Sequence, residues 1–190
     1  MRSTEQRALT SALRRDLLRI AYRSIEHGLH YACPLQANAA DFPPRLSRPQ
    51  SCFVSLTIKE QLRGCIGDLE AKRPLIVNVA ANAYAAAFND PRFPPLAPEE
   101  YPEIKIHLSL LLPTTPLDFN TEAELLRQLQ PGRDGLIIEL DGRRATFLPA
   151  VWGSLPEPLA FLRCLKHKAG IPENCGVAKA WRYAAESFSE

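Results

Sequence analysis

Ser51-Cys52-Phe53-Val54-Ser55-Leu56-Thr57-Ile58-Lys59-Glu60-Gln61-Leu62-Arg63-Gly64-Cys65-Ile66-Gly67 decides the fold class. Residues 51–58 are β-branched and aromatic and alternate along the chain, the pattern of a strand. Lys59-Glu60 is the expected turn and residues 61–66 the paired return strand. Upstream, Leu9, Leu13, Leu17, Ile20, Ser24, Ile25 and Gly28 follow helical spacing, which predicts a helix over 3–30 with Ser3 and Gln6 as a capping box. Arg7, Arg14, Arg15, Arg19 and Arg23 fall on its other side and read as a solvated face, with RNA contact as the alternative. Residues 31–50 hold Pro34, Pro43, Pro44 and Pro49 and form a long ordered loop.

Downstream, Pro74 opens an Ala-rich helix that runs to Asn89, and Asp90-Pro91-Arg92-Phe93-Pro94-Pro95 stops it. Ile104, Ile106, Leu108 and Leu110 alternate with polar residues, a strand with one buried face. Thr121 and Glu124 cap a short helix ending near Gln130. Residues 136–140 and 143–148 flank Asp141-Gly142, a strong hairpin signal. Pro156 and Pro158 lead into a helix closed by Gly170. Trp181-Arg182-Tyr183 adds a last strand. Hairpins and helices mix without βαβ alternation, so the class is α+β with a mostly antiparallel sheet.

The chain has 190 residues, enough for one domain or a two-lobed one. Lys plus Arg number 23 and Asp plus Glu 21, a balance that by itself points to neither nucleic acid nor membrane. Cys33, Cys52, Cys65, Cys164 and Cys175 are odd in number and scattered, which argues against a disulfide framework or a metal site and for a reducing compartment. The N-terminal residues lack a signal-peptide pattern, and a cytoplasmic protein without a cofactor is expected. Motifs of P-loop, Rossmann and nucleophile-elbow type are missing, as is any C-x-x-C.

Arg63-Gly64-Cys65-Ile66-Gly67 carries the most chemistry. Residues two apart on a strand share a face, which predicts that Arg63 and Cys65 project together. A guanidinium beside a thiol favours the thiolate, and Gly64 and Gly67 leave backbone open to a ligand or another segment. The same residues also suit a buried cysteine with packing glycines. Arg92 offers a planar fork for a carboxylate or phosphate, with Asp90 ordering its turn. His107 lies on the polar face of its strand, where a nearby cysteine would complete a Cys–His pair. Cys164 and His167 share a helix face, but two ligands do not define a zinc site.

Leu62-Arg63-Gly64-Cys65-Ile66-Gly67 resembles the signature of the AMMECR family, whose bacterial branch is called AmmeMemoRadiSam system protein A. Phe53-Val54-Ser55-Leu56 precedes it at the family's spacing. Asp90-Pro91-Arg92-Phe93, Ser109, Gly142-Arg143, Ala145-Thr146-Phe147-Leu148-Pro149 and Lys168-Ala169-Gly170 follow in family order. Glu60 departs from the pattern where the turn usually carries Gly, and His107 stands where an acidic residue is frequent. The resemblance implies a two-lobed α+β fold over 1–190, with both termini in the larger lobe and the 62–67 signature near a cleft. It also implies association with a Memo-type protein and a radical SAM enzyme.

Three functions fit these residues. The first is an enzyme or enzyme subunit for group transfer, with Cys65 as nucleophile or tethering thiol and Arg63 holding the thiolate or an anionic group. Gly64, Gly67, Asp90, Arg92 and His107 would then bind substrate. The second is a non-catalytic docking module. The third is an RNA-binding accessory, weakest in view of the balanced charge.

Overall fold

The computed structural model describes residues 8–189. These form two compact units, one of residues 8–111 with 186–189 and one of Leu112–Ala185. No helix among the described residues is long and apolar enough to cross a membrane.

In the first unit, α1 (Ser11–Tyr31) and α2 (Leu75–Phe88) cover one face of a sheet of β1 (Cys52–Ile58), β2 (Gln61–Gly67), β3 (Lys105–Leu111) and β8 (Ala185–Phe188), ordered β2-β1-β3-β8. Cys52, Val54, Leu56, Ile106, Leu108 and Leu110 point into the core and are fully buried. Ala80, Ala83, Ala86 and Ala87 on α2 face the same core, and their small side chains let the helix lie close to the strands. Buried amides tie α2 to the start of β1: Asn78 Nδ2 donates to the Gln50 carbonyl and Asn82 Nδ2 to the Cys52 carbonyl, both at 3.1 Å. The opposite sheet face carries Ser55, Thr57, His107 and Ser109, which are only partly buried.

The second unit places α4 (Pro158–Ala169) and α3 (Glu122–Arg127) with a sheet of β4 (Thr115–Leu117), β5 (Gly135–Leu140), β6 (Arg143–Phe147) and β7 (Lys179–Tyr183), ordered β4-β7-β5-β6. Trp152 stacks on Phe161 at 3.8 Å between ring centroids, and its Nε1 donates to the Asp134 carbonyl. Lys166 is buried and donates to Glu122 and to the Glu173 carbonyl, both at 2.8 Å.

The α+β class with antiparallel pairing holds, and the strands divide between two sheets because the chain leaves the first at Leu111 and returns to it only with β8. Other expectations change. The short β4 goes unread in the sequence, and β7 is an inner strand. α1 begins at Ser11, capped by the Thr10 hydroxyl; the Ser3–Gln6 capping box lies outside the described residues. Leu9 is held out of the helix by the Glu186 carboxylate, which accepts its N–H at 2.9 Å. α3 ends at Arg127, three residues before Gln130. Its neighbours Phe161, Leu162 and Leu165 suggest from sequence that Cys164 is shielded, but they form the inner stripe of α4 and Cys164 lies outside it, exposed.

The β1–β2 turn keeps left-handed backbone at both central residues without glycine, with φ of 50° at Lys59 and 63° at Glu60. This is the two-residue hairpin conformation that Gly normally favours. Replacing Glu60 by Gly removes a Cβ from a disfavoured region, and the exposed Lys105–Glu60 pair it forfeits contributes little. Thermal unfolding of Glu60→Gly is expected about 2 °C above the parent chain; a lower midpoint would contradict the turn assignment.

Candidate functional site

Ser55 pairs with Cys65 on one side and with His107 on the other, so the three stand in a row across β2, β1 and β3. Their side chains project from the sheet face that the helices do not cover. The Ser55 hydroxyl donates to Cys65 Sγ at 3.1 Å. His107 Nε2 lies 3.3 Å from Thr57 Oγ1. Cys65 and His107 are two strand spacings apart, about 10 Å, so they form no direct Cys–His pair.

The register of β1 and β2 shifts after Leu56, which faces Gly64, while Thr57 faces Leu62. Arg63 is the extra residue of a β-bulge, and the simple alternation expected for Arg63 and Cys65 is broken there. Its guanidinium turns to Glu100, with Nε to Oε1 at 2.7 Å and Nη2 to Oε2 at 2.9 Å. The Arg63 side chain is only 11% exposed, and its Nη1 is buried without a partner. The hydrogen bond from Arg63 is the main cause that holds the Glu100 carboxyl below its ordinary range. Glu100 also accepts the Ala97 N–H, which fastens the loop after α2 to the bulge.

β2 is an edge strand, and the backbone of Cys65 points outward from it. Asp90 Oδ2 accepts the Cys65 N–H at 2.8 Å, and Arg92 Nη2 donates to the Cys65 carbonyl at 3.2 Å. The two side chains bind each other at 2.9 and 2.7 Å, and the Arg92 N–H closes the turn onto Asp90 Oδ1. Together they act on Cys65 as the next strand would, giving one acceptor and one donor. The Arg92 side chain, 54% exposed, keeps part of its guanidinium in solvent beside the cysteine. Asp90 is buried, and hydrogen bonds from the Arg92 side chain first, then from the Cys65 and Arg92 backbone, hold its carboxyl at about 2 despite burial. Arg92 is shifted upward mainly by Asp90, with the Cys65 side chain acting in the same direction.

Space at both signature glycines is taken up by the fold. A Cβ on Gly64 would sit 2.1 Å from the Ala86 carbonyl oxygen of α2, and one on Gly67 would sit 2.4 Å from the Phe53 ring. Among the other thiols, burial pushes Cys52 up to about 12. No cluster of three metal-ligating side chains occurs among the described residues. A hollow of about 270 Å³ beside the site is lined by Gln61, Leu62, Arg63 and Glu100. Sequence reasoning missed Ser55 and Glu100 as site residues. Ser55 had a signal, being polar on a strand opposite Cys65 in a tight hairpin; Glu100 had none.

The AMMECR1 family pattern matches residues 18–188. This chain belongs to the AMMECR1 family. A relative from Methanothermobacter thermautotrophicus is 36% identical over 182 residues, 93% of each chain. Protein MJ0810 of Methanocaldococcus jannaschii is 38% identical over 159 residues, 78% of this chain and 77% of its own length. The crystal structure of the uncharacterized protein PH0010 from Pyrococcus horikoshii shares the fold, with a TM-score of 0.83 and 31% identity over 92% of this chain and 89% of that one.

Two outcomes follow for this AMMECR1 site. Asp90 has a depressed folded-state pKa, so its contribution to stability is present above the unfolded value of about 3.9 and is lost as pH falls towards 2. Urea unfolding should show Asp90→Asn less stable than the parent at pH 6, with the gap closing between about pH 4 and 2; a gap independent of pH would contradict the pairing. Gly64→Ala should lose about 3 kcal/mol in the same assay, because the added methyl meets backbone and not a movable side chain. An unchanged midpoint would contradict the close approach of α2.

Proposed function

We propose that this AMMECR1 protein is a thiol-dependent enzyme, or the thiol-bearing subunit of one, in which Cys65 performs group transfer on an anionic substrate. The observation that carries this reading is the Ser55 hydroxyl donating to Cys65 Sγ at 3.1 Å on a sheet face left clear of the helices. A cysteine kept only for packing needs no such donor, whereas a sulfur that bears negative charge is stabilised by it. The neighbouring cation is Arg92: Nε and Nη2 are engaged by Asp90 and the Cys65 carbonyl, and the half-exposed guanidinium can meet a carboxylate or phosphate of the substrate through Nη1. Arg63, committed to Glu100, serves as a positioning residue that holds the bulge.

In the proposed step Cys65, its thiol proton already released to solvent water, attacks an electrophilic carbon of the substrate as the thiolate, and the leaving group departs with the bonding pair. The transferred group then rests on sulfur until an acceptor takes it and frees the thiolate. His107 is too far from the sulfur to take its proton directly and is assigned, with Thr57, to the far end of the substrate. The resemblance of the 62–67 signature to the AmmeMemoRadiSam system protein is the ground for proposing joint action with a Memo-type protein and a radical SAM enzyme, which would supply or consume the transferred group.

The docking-module reading rests on glycines that leave backbone open. Here those openings are filled by Ala86 and Phe53, which weakens it. The test is iodoacetamide labelling at neutral pH, read residue by residue by mass spectrometry. Cys65 should label faster than Cys33, Cys164 and Cys175, although Cys33 and Cys164 are more exposed. Ser55→Ala, which removes the hydrogen bond to the sulfur, and Arg92→Ala, which removes the neighbouring cation, should each slow it by about tenfold. An inert Cys65 alongside reactive Cys33 and Cys164 would reject the enzyme reading.

A further inference from the structure

A second groove in the first unit lies far along the chain from Cys65. It measures about 900 Å³ and runs between α1 and the end of β8. Leu18, Tyr22 and Phe188 give it an apolar and aromatic wall. Among the described residues, Arg14, Arg15, Arg19 and Arg23 line it against one carboxylate, Asp16. The arginine face read as merely solvated in the sequence is therefore one side of a concavity.

Two of these cations are already used. Arg14 binds Glu186 at 2.9 Å and stands over the Phe188 ring, 5.3 Å from its centroid. Glu186 is in turn occupied by Arg14 and the Leu9 N–H, so it offers nothing to the others. Arg19 pairs with Asp16 at 2.7 Å, an exposed contact of adjacent helix turns that a better anion can displace. Arg15 and Arg23 make no ion pair with any described residue and are exposed. Arg15, Arg19 and Arg23 are four residues apart, so they form a stripe along one side of α1 about 12 Å long.

We propose that this groove binds a nucleotide-class ligand, a small molecule with a flat heteroaromatic body and a phosphate tail. The flat body lies against Tyr22, Phe188 and the Arg14 guanidinium, which together present aromatic faces and a stacked cation. The phosphates lie along Arg15, Arg19 and Arg23, whose planar forks match phosphate oxygens. A groove of this volume suits a small ligand. A nucleic-acid polymer needs a basic track that continues beyond the stripe, and a formal charge of +2 supplies little long-range attraction for one.

Isothermal titration with ATP, adenosine and inorganic tripolyphosphate in about 150 mM salt tests the assignment. ATP should bind with Kd below about 100 µM, and adenosine and tripolyphosphate at least about tenfold more weakly. The Arg15→Ala/Arg23→Ala double variant should weaken ATP by about tenfold or more, with an unchanged thermal midpoint that shows the fold intact. The proposal is overturned by ATP binding weaker than about 1 mM, by equal affinity in the double variant, or by tripolyphosphate matching ATP. Tighter binding of a single-stranded RNA than of ATP, lost in the double variant, would overturn it in favour of the polymer.

Discussion

The first unit turns on a carboxylate and a guanidinium that bind the two backbone groups of one residue. Cys65 sits on an edge strand, where its N–H and carbonyl would otherwise face water. Asp90 accepts the first and Arg92 donates to the second, while the pair also bind each other. A neutral pair would satisfy the same groups, but charged partners make shorter and stronger bonds in a partly buried place. The arrangement also blunts an exposed strand edge that would otherwise invite pairing with another chain. It fixes the position of the Cys65 backbone, and with it the direction of the sulfur towards Ser55.

The rest of the region depends on that clamp. Asp90 can reach Cys65 only if α2 ends close to β2, and α2 can approach only because residue 64 lacks a side chain where the Ala86 carbonyl arrives. The bulge at Arg63 redirects that guanidinium to Glu100, which ties down the loop on which Asp90 and Arg92 lie. The signature is thus a set of packing conditions for presenting one thiol. Its glycines serve the helix and the Phe53 ring, and its arginine serves the loop.

Much of this fold is legible in the sequence. Alternation in residues 51–58 and 104–110, the Asp141-Gly142 turn and Gly170 each state a local preference that the packing upholds. The division into two sheets is not legible, because it depends on which strands pair over long distances, as when β8 rejoins β3. The row of Cys65, Ser55 and His107 is hidden for the same reason, since register across three strands is a tertiary property. Asp90 and Arg92 can be read as functional from their place between a helix end and prolines. Their grip on Cys65 cannot, and neither can the bulge at Arg63 or its pairing with Glu100.

Amide hydrogen exchange at Cys65, followed by NMR, tests the clamp most directly. An outward amide on an edge strand exchanges quickly unless something holds it. The account predicts that the Cys65 amide is protected to the level of the inner strand β1, and that Asp90→Ala lowers its protection by about 100-fold while Val54 and Leu56 stay protected. A Cys65 amide that exchanges as fast in the parent chain as in Asp90→Ala would contradict it.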